Sequence, residues 1–163
     1  VSEGILYAPW RSEFVQSPSS NGCVLCRARD AADRDGLVVH RGELGFVMLN
    51  LYPYNSGHLM VVPNRHVGDL PGLSSEERLE LFDLCSRSVE RLGRAFGPEG
   101  FNVGMNIGRV AGAGIEDHVH LHVVPRWAGD TNFMPVLGET KVLSVGMDEV
   151  FEKLTRAFTE TES

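Results

Sequence analysis

Three histidines at alternate positions, His118, His120 and His122, sit in the run Asp117-His118-Val119-His120-Leu121-His122-Val123-Val124-Pro125. A period of two is the signature of a β-strand, whose successive side chains point to opposite faces. The spacing predicts a strand with His118, His120 and His122 on one face. Val119, Leu121 and Val123 then point to the other face, into a core. The chain has six histidines in all, so this run holds half of them in five residues. Imidazole is a metal ligand, a general base and a nucleophile near neutral pH. The pattern therefore places a row of reactive rings over an apolar floor.

The pair Cys23-Val24-Leu25-Cys26 is a second chemical feature. Two thiols at this spacing supply half of a tetrahedral zinc site, and histidines or acids must complete it. Such a pair also serves redox chemistry when it follows a strand and opens a helix. Here the turn-rich stretch from Ser17 to Gly22 precedes it, which favours metal. Three cysteines, an odd number, do not suggest a secreted disulfide scaffold. Cys85 falls within a helical apolar pattern and reads as core.

The 163 residues carry a net charge of −7, which opposes broad binding to nucleic acid or anionic membrane. No apolar run approaches the length of a membrane span, and the N-terminus shows no signal-peptide pattern. The expectation is a cytoplasmic protein. Short strands are expected at Leu37–His40, Leu44–Leu49, His58–Pro63 and Phe101–Ile107. One long helix, capped by Ser74 or Ser75, runs to Phe96, with Leu79, Phe82, Leu84, Cys85, Val89, Leu92 and Phe96 at helical spacing. Cys26 to Asp35 reads as a ragged helical turn, and Asp148 to Thr159 as a terminal helix. The whole is a single α+β domain over residues 1–163, with an N-terminal segment 1–22 and a C-terminal extension 128–163. Its sheet is antiparallel, with helices on one face.

The loop Gly108-Arg109-Val110-Ala111-Gly112-Ala113-Gly114 is rich in small residues, which let backbone N–H groups approach phosphate oxygens. It lacks the lysine of a Walker loop. Beside the histidine row it points to phosphoryl or nucleotidyl transfer.

The signature His118 to Val124, with Asn50, Gly57-His58, Pro63 and His66, closely resembles the histidine triad (HIT) superfamily. Ala8-Pro9-Trp10-Arg11, Tyr52 to His58 and the stretch from Pro125-Arg126-Trp127 to Lys141 are similar to its bacterial branch, related to diadenosine tetraphosphate phosphorylases. The resemblance implies a five-stranded antiparallel sheet with one long and one short helix, paired into a homodimer. The interface is expected on Leu79–Phe96 and the Phe101–Ile107 strand. The resemblance makes His120 the nucleophile, His122 a contact to the transferred phosphate and His58 a support for nucleophile and pocket. Asn50 maps to ribose binding and Asn106 to phosphate binding. Substrate contacts are expected from Gly112, Ala113, Gly114, Arg126, Trp127 and Lys141. Structural zinc maps to Cys23, Cys26, His66 and His118. Related hydrolases carry Gln where this chain has Gly114, and its loss leaves room for inorganic phosphate as co-substrate. The implied reaction is phosphorolysis of diadenosine tetraphosphate, with hydrolysis of a dinucleotide or nucleoside phosphoramidate as the alternative.

Overall fold

The computed structural model describes residues 22–131, 143 and 145–160. In chain order these form α1 (Val24–Asp30), β1 (Val38–Arg41), β2 (Gly45–Leu49) and β3 (Leu59–Pro63). Then come α2 (Ser75–Phe96), β4 (Gly100–Met105), a 3₁₀ turn (Arg109–Ala111), β5 (Leu121–Arg126) and α3 (Met147–Thr159). The five strands make one antiparallel sheet in the order β1-β2-β3-β5-β4. The expected fold class is borne out.

Strand alternation divides the apolar residues between two layers. Val39, Val47, Leu49, Leu59, Val61, Leu121 and Val123 join one cluster, against Leu81, Leu84 and Leu92 of α2 and Leu154 and Phe158 of α3. Val38, Phe46, Met48, Met60 and Val62 face the other way and pack on Leu25 and Ala28 of α1. Helices therefore cover both faces, where the sequence pattern had suggested one. The short helix is regular over seven residues. Its charged positions hide the two residues, Leu25 and Ala28, that anchor it.

The long helix also turns differently from its expected face. Its buried positions are Glu77, Leu81, Leu84, Cys85, Ser88, Arg91 and Leu92. Leu79 and Phe82, assigned to the apolar face, are 66% and 62% exposed. The helix begins with a capping box in which Ser74 and Glu77 satisfy each other's backbone N–H. Arg65, next to His66, pairs with the Glu77 carboxylate at 2.6 Å and bonds the Gly72 carbonyl. The loop after β3 is thereby pinned to the helix start.

β5 begins at Leu121, so His118, Val119 and His120 form a lead-in outside the ladder rather than part of the strand. The alternation persists through it, since Val119 is buried in the same core cluster as Leu121 and Val123. The lead-in is held instead by the loop after β3: Val119 N–H donates to the Val67 carbonyl at 2.7 Å.

Candidate active site

A cavity of 850 Å³ opens on the sheet face that carries α1, Met48 and Met60. This is within the usual range for a nucleotide-sized ligand. Leu25, Ala28, Met48, Met60 and Ile115 make one apolar wall, and His120 and His122 stand with Asn50, Asn106, Gly112 and Gly114 in its lining. The α1 wall, the two methionines and Tyr54 are site components that sequence reading missed. The alternation of β2 and β3 was the signal for Met48 and Met60, because it turns both away from the main core.

The ring nitrogens are assigned by their partners. His120 Nδ1 lies 2.9 Å from the His118 carbonyl, so it donates there. A neutral His120 then keeps its lone pair on Nε2, and the ring lines the cavity. Burial pushes the His120 imidazolium pKa down, against the smaller opposite pull of the His118 carbonyl. Desolvation thus favours the unprotonated, nucleophilic form.

His58 is fully buried. Its Nδ1 accepts the Tyr54 backbone N–H at 3.0 Å, so its proton sits on Nε2. That Nε2 donates to His122 Nδ1 at 3.0 Å. His122 in turn carries its proton on Nε2. One backbone amide therefore sets two imidazole tautomers in series, ending in a donor beside His120. His58 supports His122 directly, rather than His120. The His120 and His122 rings meet edge to face at 4.8 Å, closer than the roughly 7 Å that strand rise alone predicts. Tyr54 lies against both His58 and His122, at 4.6 and 5.8 Å between ring centres.

The turn that delivers His58 requires glycine. Gly57 has φ of 82°, and a Cβ there would lie 3.1 Å from Leu92 Cδ2 and 3.4 Å from Pro125 Cγ. Asn50, the expected ribose residue, accepts the Tyr52 N–H at 2.9 Å through Oδ1.

The glycine loop is a 3₁₀ turn with Gly108 and Gly112 at φ of 82° and 87°. The N–H groups of Ala111, Gly112 and Ala113 all bond carbonyls within the loop. Phosphate at those amides would compete with these bonds, and Ala113 is buried. Gly112 and Gly114 contribute open cavity wall instead. Arg126, expected at substrate, makes a two-point ion pair with Asp130 and bonds Asn102. The guanidinium holds the Asp130 carboxyl well below the usual carboxylate range. The Trp127 backbone N–H also donates to Asp130. Lys141 and the Phe133–Lys141 segment lie outside the described residues, as does Trp10-Arg11.

The four expected metal ligands come together. One donor atom each from Cys23, Cys26, His66 and His118 lies within 4.8 Å of all the others. The S···Nδ1 separations are 3.3 Å for Cys23–His118, 3.4 Å for Cys26–His66 and 3.6 Å for Cys26–His118. Tetrahedral zinc with ordinary Zn–S and Zn–N bonds has S···N edges of about 3.6 Å. His118 Nε2 donates to the Pro63 carbonyl at 2.9 Å, which leaves Nδ1 as the ligand atom. Burial, then the neighbouring Cys23, push the Cys26 thiol up in pKa. Cys23 is the N-cap of α1, so the pair does open a helix, and both thiols are free.

A family model described as the HIT domain matches residues 32–129. The chain belongs to the HIT family. Among HIT proteins it is 48% identical over 147 residues to the AP-4-A phosphorylase of Mycobacterium tuberculosis strain H37Rv, covering 85% of this chain and 75% of that one. It is 32% identical over 132 residues to an uncharacterized HIT-like protein of Methanocaldococcus jannaschii, covering 81% of this chain and 98% of the other. The crystal structure of a Zn-bound histidine triad family protein from Mycobacterium smegmatis superposes with a TM-score of 0.67 at 25% identity. That match covers 83% of this chain and 92% of the other. Among the described residues no helix is long and apolar enough to cross a membrane.

Proposed function

We propose that this HIT protein is a nucleotidyl transferase that cleaves dinucleoside polyphosphates by phosphorolysis, converting diadenosine tetraphosphate and inorganic phosphate to ATP and ADP. The observation that carries this is the His120 tautomer. Its Nδ1–H is committed to the His118 carbonyl, which leaves the Nε2 lone pair at the cavity. The likeness to a mycobacterial AP-4-A phosphorylase supports the substrate class.

The base would lie against Leu25, Met48, Met60 and Ile115, and the ribose near Asn50. His120 Nε2 attacks the phosphorus next to one nucleoside, and the bond to the bridging oxygen breaks. His122 Nε2–H, held by the Tyr54–His58 relay, donates to that oxygen. ATP departs. An oxygen of inorganic phosphate then attacks the nucleotidyl-His120 phosphorus, the N–P bond breaks, and ADP forms while a phosphate proton returns to His122. Two displacements through imidazole replace one difficult one. Gly114 leaves the cavity wall by the transferred phosphate without a side chain.

With radiolabelled inorganic phosphate and diadenosine tetraphosphate, label is expected in ADP and absent from ATP. Unlabelled AMP with ATP, at a rate indifferent to phosphate, would place the protein with the hydrolases.

Zinc at Cys23, Cys26, His66 and His118 would be structural, because four protein ligands leave no open position. It would tie the α1 wall to the histidine lead-in.

The protein is further proposed to act as a homodimer. β4 is one of the two edge strands of the sheet; Val103 within it is 48% exposed and Ile107 just after it 43%. An apolar sheet edge of this kind is a pairing surface. Sedimentation at micromolar concentration should give twice the chain mass, and Val103→Lys should shift it to monomer. A wild-type monomer at that concentration would refute the assignment.

A further inference from the structure

Beyond His122 lies a second cavity, of 370 Å³. It shares His122, Tyr54 and Asn106 with the first cavity, whereas His120 lines only the first. Its floor is β4 and β5, where Gly104 and His122 are direct ladder partners. His122 also pairs with Met60, so by strand alternation position 104 faces the same side of the sheet as the catalytic row. A Cβ on Gly104 would meet nothing within 4 Å, and its φ is not positive. Among the described residues of the single chain, neither a turn nor close packing calls for glycine there. What the missing side chain leaves is open space beside His122. Asn102, Asn106 and Thr131 make the surroundings polar, and Asp130 offsets the charge of Arg126.

The chemistry demands such a space. In phosphoryl transfer the attacking and leaving groups lie in line on opposite sides of phosphorus. When His120 attacks, the departing oxygen lies opposite Nε2. In the second displacement His120 is the leaving group, so the acceptor must enter at the position just vacated. The acceptor and the nearest phosphate of the departing nucleotide therefore occupy one subsite, on the His122 side and away from His120.

Resting on the phosphorolytic reading above, we propose that this second cavity is the acceptor subsite, where inorganic phosphate binds beside His122, and that Gly104 keeps it open to phosphate. Asn102, Asn106 and Thr131 supply neutral hydrogen-bonding groups, and the paired Arg126 adds little net charge. That balance suits an anion that must bind, react and leave within one turnover.

The test is the series Gly104→Ala, Gly104→Val and Thr131→Val in the full chain, with inorganic phosphate varied at saturating dinucleotide. Gly104→Val, which adds three carbons, should raise the phosphate KM by about tenfold or more, since a single methylene in a fitted pocket already acts on that scale. Gly104→Ala should do so less. The ratio of ADP to AMP at fixed phosphate should fall in the same order. Sedimentation and melting temperature, measured alongside, identify any variant whose assembly is disturbed. Thr131→Val, which adds no bulk at the β4 edge, should raise the phosphate KM independently of assembly. A phosphate KM unchanged within about twofold in all well-assembled variants would overturn the subsite, as would a rise in the dinucleotide KM alone. A wild-type protein that forms AMP and never uses phosphate would instead remove the phosphorolytic reading itself, and the acceptor subsite with it.

Discussion

Replacing His120 with alanine should lower kcat by roughly five to six orders of magnitude, the scale seen when a covalent nucleophile is removed. His120 is expected to form the only bond between protein and nucleotide, so no other group can take over the first displacement. The same substitution should abolish the acid-labile, alkali-stable adduct that labelled dinucleotide leaves on protein denatured in alkali. His122→Ala should be milder, at about 10² to 10³ in kcat, because it removes a proton donor while the lone pair of His120 remains. The hierarchy matters as much as the size. Rapid-quench measurement of the adduct separates the two roles: none with His120→Ala, slow formation with His122→Ala. An adduct of normal yield on the His120→Ala protein would show that a different residue attacks.

Removing the metal should have the largest effect on stability. A ligand held a thousandfold above its Kd, and bound only by the folded chain, adds about 4 kcal/mol. For a domain of this size that corresponds to a fall of roughly 8–16 °C in Tm when the ligand is stripped. Cys26→Ser should reproduce the loss, since its thiol lies close to both His66 and His118. Purified protein should carry one equivalent of zinc by elemental analysis, and a chelator should lower Tm reversibly. Zinc-free protein that melts at the same temperature with and without added zinc would remove the site. Inactivation should follow the metal, because α1 carries both thiols and the Leu25 wall of the cavity.

Much of the site was legible because its logic is local. A period of two over His118–Val124 orients three imidazoles whether or not the segment is a ladder strand. That is why the row survives the finding that β5 starts only at Leu121. Cys-x-x-Cys and two histidines at long range came together as the resemblance implied. What the sequence hid was tertiary. The face of α2 misread at Leu79 and Phe82 depends on which neighbours bury it, and an apolar residue at helical spacing does not say so. The donors of the glycine loop looked available in sequence, yet the 3₁₀ turn consumes those of Ala111, Gly112 and Ala113. The ion pair of Arg126 with Asp130 was hidden as well, because Asp130 lies four residues on in an irregular segment. The relay from Tyr54 through His58 begins at a backbone amide, which no residue type announces.

The proposed nucleophile stands outside the sheet ladder. His120 is aimed by the His118 carbonyl, and its lead-in hangs from Pro63 at the end of β3 and Val67 in the loop after it. Cooperative units of a protein open at different free energies, with loops below the core. Aim and architecture are therefore separate thermodynamic quantities here. Warming should let the lead-in detach while the five strands stay paired, so that the enzyme falls silent reversibly before it melts. Sequence changes in the 64–67 loop, His66 apart, can then set the working temperature of the catalyst without altering the histidine row or the strands.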